Sequence, residues 1–331
     1  MKNRTARERP RSTVSRGPSI GAVMRADWQL LAVGLAMVAS LNQGCRRDEQ
    51  PRALGLIKEW GGRGSAGGQF YNPSSVAVAP DGSVYVTDSQ NRRIQKFSAA
   101  GEFLLSWGQE VLDSPTGITT DQRGHVYITD FGNDAVYKFD SHGTLLFKFG
   151  SPGNAEGEFN APVAVVVNRK GEILVLEFNN HRVQKFDAQG NFLLTWGGRG
   201  HEEGQFEFPG DLALDREQDV WVLDTHNSRL QKFTPEGRFL GMWGSHGSGP
   251  GQFADASGMA IDRQNRIYIA DAANKRLQVF DSEMHHLFST WYENKWQGVV
   301  FSPTDVAVDS GFRVYAADFA HHLIQQFELL Y

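Results

Sequence analysis

The sequence predicts an all-β fold: a six-bladed β-propeller of four-stranded antiparallel blades, its last blade closed by an N-terminal strand. Three observations predict it. An acidic residue recurs at Asp88, Asp130, Glu177, Asp224, Asp271 and Asp318, at intervals of 42, 47, 47, 47 and 47. Phe97, Phe139, Phe186, Phe233, Phe280 and Phe327 keep the same intervals. Within each copy apolar residues alternate with a period of two, as in residues 83–87 and 264–269, and turns at Asp81-Gly82, Ala100-Gly101, Lys170-Gly171 and Gln189-Gly190 separate the runs. Two independent markers keeping one period over five intervals define an internal repeat.

The 331 residues are 40% hydrophobic and 21% charged, which suits a globular protein with a sizeable core. Residues 1–44 differ from the rest. They carry Lys2, Arg4, Arg7, Arg9, Arg11, Arg16 and Arg25, followed by the apolar run Trp28 to Leu41. That run is too short to span a bilayer comfortably, which takes about 20 residues, and suits the core of a signal peptide, with Met24 as an alternative start. Cys45 is the only cysteine. Its place just after the apolar run and Gly44 resembles the lipobox of bacterial lipoproteins, although Asn42 stands where that pattern has an aliphatic residue and Leu41 comes one place early. The resemblance implies lipid attachment at Cys45 and export to the bacterial cell envelope, periplasmic or outer membrane; cleavage after Ser40 and an uncleaved anchor are the alternatives. A lipidated Cys45 leaves no disulfide, so stability must come from packing. Residues 45–53 read as a polar tether. Without residues 1–44 the chain has 26 basic and 36 acidic residues, a net charge of about −10, which disfavours a general polyanion binder.

Each copy in residues 54–331 reads as four short strands. A lone four-stranded sheet cannot bury both its faces, so successive sheets must stack around an axis. The fourth strand closes at Trp107, Phe149, Trp196, Trp243 and Trp291, but the sixth copy ends without one. Leu54 to Gly61 has the fourth-strand form, with Trp60 lying 47 residues before Trp107. It is expected to pair with Leu323 to Phe327 and so remove the exposed edges.

The triplets Asn91-Arg92-Arg93, Asn180-His181-Arg182, Asn227-Ser228-Arg229 and Asn274-Lys275-Arg276, with the Gly-Gln-Phe linkers near Gly67 to Pro73 and Gly204 to Pro209, resemble the NHL repeat family. The resemblance covers residues 54–331. It implies the propeller fold; for function it implies only a scaffold that hosts both binding proteins and enzymes.

In four copies an arginine follows the acid by five residues: Asp88 with Arg93, Glu177 with Arg182, Asp224 with Arg229, Asp271 with Arg276. Such recurrence reads as a structural clip on the connecting loop, and an exposed pair of this kind is worth about 0–1 kcal/mol. Asp130 and Asp318 have Ala135 and Leu323 in place of the arginine, so their carboxylates are expected to lack that partner. Phe131, Phe178 and Phe319 follow the acid where other copies have Ser89, Thr225 and Ala272; they read as the rim of a binding surface or as packing onto the next blade. Asp211 and Asp305 stand on channel-lining first strands, where the other copies have Ser75, Gly117, Ala164 and Gly258. They read as hydrated channel acids or as oxygen donors for a cation or a ligand ammonium. Blades four and six are not neighbours, which weakens a shared metal. His181, His226, His321 and His322 fall on equivalent loops of different blades, as surface histidines or ligand-binding candidates.

The related peptidyl-hydroxyglycine lyases place zinc histidines after the proline that opens strand one. Here those places hold Ser74, Thr116, Val163, Gly210, Ser257 and Thr304, so that zinc site is not expected. No serine-histidine-aspartate motif, phosphate loop or paired-cysteine motif is present. Arg63, Arg92, Arg93 and Arg199 are too few to make a nucleic-acid surface on an acidic chain. The expectation is therefore a membrane-anchored binding scaffold for a protein, peptide or glycan at the loop face, with no cofactor and no nucleic-acid partner. The alternative is a lactonase- or lyase-type enzyme with a channel-bound metal ion held by Asp211 and Asp305.

Overall fold

A computed structural model of the protein describes residues 50–290 and 302–331. The expected signal peptide, Cys45 and Trp291 lie outside the described residues. The described residues form six four-stranded antiparallel sheets, one two-stranded parallel ribbon of Ser245–His246 with Gln252–Phe253, and no α-helix. Blade one, the simplest, runs Pro73–Val78, Val84–Asp88, Arg93–Phe97 and Phe103–Trp107. Blades two to five repeat it with first strands Pro115–Thr120, Pro162–Val167, Asp211–Leu214 and Ala256–Ile261. No helix of the described residues is long and apolar enough to cross a membrane.

The sixth blade is completed by the strand Ala53–Gly61, which lies beside Leu323–Leu330 with Leu56 opposite Phe327 and Trp60 opposite Ile324. It begins at Ala53, one residue before the expected start, and the last residues of the expected tether therefore join the sheet. The ring has its closing strand, and blade six has no open outer edge beside Leu323–Leu330.

The alternation seen in the sequence places the core between blades. Tyr315, Ala317 and Ile324 of blade six pack with Phe70, Val76, Val86 and Phe97 around blade one, with Trp60 against the cluster. The Trp60 ring lies 5.9 Å from Phe97 and 6.4 Å from Tyr315, so this fourth-strand tryptophan bridges the two blades. The turn that receives it must be glycine: Gly101 has φ +73°, and a Cβ there would come within 2.9 Å of Trp60.

The recurrent acid organises the loop face. Asp88 is fully buried, and so is its partner Arg93. The Asp88 carboxylate accepts hydrogen bonds from Arg93 Nε at 2.7 Å, from Asn91 Nδ2, from Gln95 Nε2 and from the backbone N–H of Tyr71. Arg93 spends its other donors on the carbonyls of Ser65, Ala66 and Gln69 in the linker that enters the blade. The clip on a connecting loop is real, but it is buried rather than exposed. Breaking a buried pair costs about 3–5 kcal/mol, well above the surface value.

The two copies without arginine differ from expectation as well. Asp130 is fully buried, and its carboxylate accepts the N–H groups of Asp113, Ser114, Gly132 and Asn133 and the side-chain amide of Asn133. It does not lack internal partners. The interval of 42 explains the lost arginine: the linker before blade two is short, and the carbonyls that Arg93 reaches in blade one have no counterpart there. Asp318 is likewise buried and bonded to His321, which occupies the place of the triplet asparagine.

Candidate functional site

The six first strands converge on a central cavity of about 430 Å³. Five of them begin at the loop face with their opening residue opposite the recurrent acid, as Pro73 is to Asp88, and the blade-four strand begins at Asp211, opposite Leu223. Near that end hydroxyl groups tie blade to blade: Thr116 donates to the Pro162 carbonyl, Ser257 to that of Thr304, and Thr304 to that of Pro73. These are residues that follow the strand-opening position, where zinc histidines were looked for. They serve here as inter-blade fasteners.

Asp211 and Asp305 stand two residues inside that rim. The Asp305 carboxylate accepts the N–H groups of Val306 (2.7 Å) and Val76 (2.9 Å) and the hydroxyl of Ser75, so it joins blade six to blade one. Asp211 accepts the N–H groups of Leu212 (2.7 Å) and Met259 (2.6 Å), joining blade four to blade five. Burial raises the Asp305 carboxyl to about 6, against the lowering effect of its three donors. Asp211 is pushed well above the usual carboxylate range, by burial first and by the charge of Asp305 second. Asp211 keeps some surface toward the cavity, and burial of the rest of the group keeps the direction upward. Non-adjacent blades thus carry carboxyl groups that feel each other, because at the axis the space across one intervening blade is small. Glycine at 258 keeps that space open: a Cβ there would lie 2.7 Å from Asp305 Oδ1.

Among the described residues no group of three or more His, Cys, Asp or Glu side chains could hold a metal ion. The carboxylate oxygens of both channel acids already accept N–H or O–H donors. That donor set does not fit a zinc or calcium centre, which needs four nitrogen or sulfur ligands or six to eight oxygens.

The loop face beside the cavity carries an aromatic cluster. Phe178, half-buried on the channel lining, packs against Phe208 with centroids 4.9 Å apart. His226, exposed, lies 4.9 Å from Phe208, and His181 lies 4.7 Å from it on the other side. Arg199 hangs over the Phe208 ring at 5.8 Å and pairs with Glu207. His181 is buried, and its Nδ1 accepts the Phe208 N–H at 3.0 Å, so the ring is neutral with its proton on Nε2. Burial lowers its pKa.

The structure therefore brings together Phe178, His181 and His226 of the sequence candidates. His322 takes the same place between blades six and one: its Nδ1 accepts the Asn72 N–H, and its ring stacks on Tyr71 at 5.6 Å. Phe131 and Phe319 stay exposed on blades two and six. Asp130 and Asp318 are buried beneath the loops, and His321 serves Asp318. Phe208 was missed. Its signal lay in comparison of the copies, because the residue before strand one reads Asn72, Ser114, Ala161, Phe208, Asp255 and Ser302, with one bulky aromatic among them. The left-handed backbone there belongs to the repeat, since Asn72, Ala161 and Asp255 share it; what sets Phe208 apart is a bulky aromatic side chain at that position, with φ +45°.

Comparison with known proteins gives first the class. The structure resembles a Bacteroides thetaiotaomicron protein of unknown function (15% identity, 83% of this chain and 76% of that one, TM-score 0.65). It also resembles a streptogramin B lyase (12%, 85% and 100%, 0.62) and a gluconolactonase of Xanthomonas campestris (15%, 85% and 99%, 0.60). At these identities the likeness is one of fold. A model described as a 6-bladed beta-propeller matches residues 213–293, and the NHL repeat model matches residues 70–97 and 159–186. The chain is a six-bladed β-propeller that matches the NHL repeat in blades one and three. No curated protein matches it.

Proposed function

We propose that the protein is a binding scaffold that takes a protein, peptide or glycan on its loop face at the channel mouth. The observation that carries this reading is the two-blade cluster of Phe178, Phe208 and His226, half-buried to exposed beside an open cavity. Rigid aromatic faces suit the apolar face of a sugar ring or an apolar side chain, since they contribute large contact area at low entropic cost. Arg199, Glu207 and His226 supply polar contacts around it. The basic segment and apolar run before Cys45 support export and lipid attachment at that residue, which would hold the propeller at a membrane surface. Mass analysis of Cys45 and fractionation of Cys45→Ser test the anchor; loss of membrane association in the variant is expected, and unchanged association counts against it.

A second reading rests on the Asp211–Asp305 pair. Two carboxyl groups with raised affinity for protons in a 430 Å³ cavity suit acid–base work of the lactonase or lyase type. Turnover of a chromogenic lactone that disappears on Asp211→Asn and Asp305→Asn would favour that reading, and a protein that binds its ligand without turning over such a substrate favours the scaffold.

A further inference from the structure

We propose that a second pocket, between the turns of blades two and three, is a binding site for a tetrahedral oxyanion, the phosphate or sulfate group of a small ligand. The pocket measures about 260 Å³ and is lined by Arg123, His125, Lys138, Arg169 and Lys170, with Asp121 as its acid.

The repeats supply the control. In blade three, Lys185 pairs at 2.7 Å with Glu172, the fifth residue of the turn between strands one and two. Blade four does the same with Lys232 and Asp219 at 3.0 Å, reinforced by Asp215. Blades five and six place Arg266 and Arg313 at the turn position and drop the lysine for Val279 and Gln326. The repeat thus keeps one cation there and balances it. Blades one and two both lack the acid, with Ser83 and His125 in its place while Lys96 and Lys138 stay, but Lys96 donates to the Ser141 carbonyl and Lys138 has no such acceptor among the described residues.

Asp121 does not restore the balance. Its carboxylate already accepts the N–H groups of Arg123 and His125, the His125 ring at 2.8 Å and the Tyr127 hydroxyl at 3.2 Å. Lys138 sits over the rings of Tyr127 (4.9 Å) and Phe147 (5.5 Å) and has no hydrogen bond or ion pair among the described residues. Those rings attract the charge but accept none of the three ammonium protons in a normal hydrogen bond. Burial lowers the Lys138 pKa, as it must for an ammonium short of acceptors. Arg169 and Lys170 reach the same pocket from blade three and are exposed. Four fixed cations around one engaged carboxylate leave a net positive cup on an otherwise acidic protein. A doubly charged tetrahedral anion fits that cup, because it offers acceptors to an ammonium and two guanidinium groups at once.

The test is calorimetric titration of the full chain at low ionic strength with inorganic phosphate, sulfate and acetate. Phosphate or sulfate is expected to bind, with salt weakening the interaction. Lys138→Met and the exposed Arg169→Glu should each weaken binding by about tenfold or more, while Lys96→Met, the blade-one lysine that donates to the Ser141 carbonyl, should leave it unchanged. Preference between phosphate and sulfate separates the two ligand sources. Absence of binding by both tetrahedral anions, binding of acetate alone, or full binding by Arg169→Glu overturns the proposal; that surface change does not threaten folding even if Lys138→Met does.

Discussion

His181 Nδ1 accepts the backbone N–H of Phe208 at 3.0 Å, so a triplet histidine of blade three holds the linker that opens blade four. The same bond joins His322 of blade six to Asn72 of the linker into blade one, and the Asp134 carboxylate holds Ala161 in this way after blade two. In these three blades the middle residue of the triplet is a latch between blades.

Protonation of Nδ1 breaks the latch. Burial lowers the folded-state pKa of both His181 and His322 below the usual value near 6.5. Glu207 and Asp224 pull His181 upward while Arg199 and His226 push it down; Asp318 and Asp88 oppose Arg63 and His321 around His322. A depressed histidine contributes stability that is present above the unfolded pKa and lost as pH falls through the folded one. Thermal melting from pH 8 to 5 should therefore show a loss on acidification that is smaller in the double variant His181→Gln, His322→Gln. An identical slope in the variant contradicts the latch.

The channel acids work with the opposite sign. Their raised pKa means that the folded protein holds protons the unfolded chain gives up, so their contribution is present below about pH 4 and is lost as pH rises through the folded values, about 6 for Asp305. Asp305→Asn removes the charge that, after burial, raises Asp211, and should shift the Asp211 titration downward. Carbon-detected NMR of the Asp211 carboxyl in the wild type and in Asp305→Asn reads the shift directly, and an unchanged Asp211 titration would refute the pairing.

Arg276 and Asp271 are both fully buried, 2.7 Å apart. Arg276→Met leaves a buried carboxylate without its cation and frees the linker carbonyls of Ser248, Gly249 and Gln252. A loss of about 3–5 kcal/mol is expected in urea unfolding. A loss under about 1 kcal/mol would return the pair to the surface clip that spacing alone suggested.

A chain beginning at Gly62 lacks the strand Ala53–Gly61 and the Trp60 ring that bridges blades six and one. It is expected to melt well below the full chain and to self-associate through the bared edge at Leu323–Leu330. Equal melting would contradict closure by the N-terminal strand.

The strands and their closure were legible in the sequence because a period-two pattern repeated six times leaves little freedom of register, and Trp60 lies one full repeat before Trp107. Depth was not legible. The five-residue spacing of Asp88 and Arg93 says nothing of the linker carbonyls of residues 65, 66 and 69, which are what bury the pair. Nor did the absence of arginine after Asp130 reveal that backbone N–H groups replace it. The coupling of Asp211 and Asp305 escaped because adjacency was judged by blade order, whereas the axis draws every first strand together. Phe208 escaped because it lies before the first strand, outside the loop where Phe131, Phe178 and Phe319 stand, and only the fold brings it onto Phe178. Lys138 became conspicuous only when blades three and four showed what its repeat partners do.

The central claim is that the channel-mouth aromatics form the binding face. Its most direct measurement is the binding of wild-type protein and of the double variant Phe178→Ser, Phe208→Ser to peptide and glycan arrays and to cell-envelope extract, with melting temperatures recorded alongside. Wild type should retain a defined ligand that the variant loses by about tenfold or more, with both proteins melting within a few degrees of each other. Equal retention by the two proteins, or a variant that unfolds, would contradict the claim and return Phe178 and Phe208 to the packing between blades three and four.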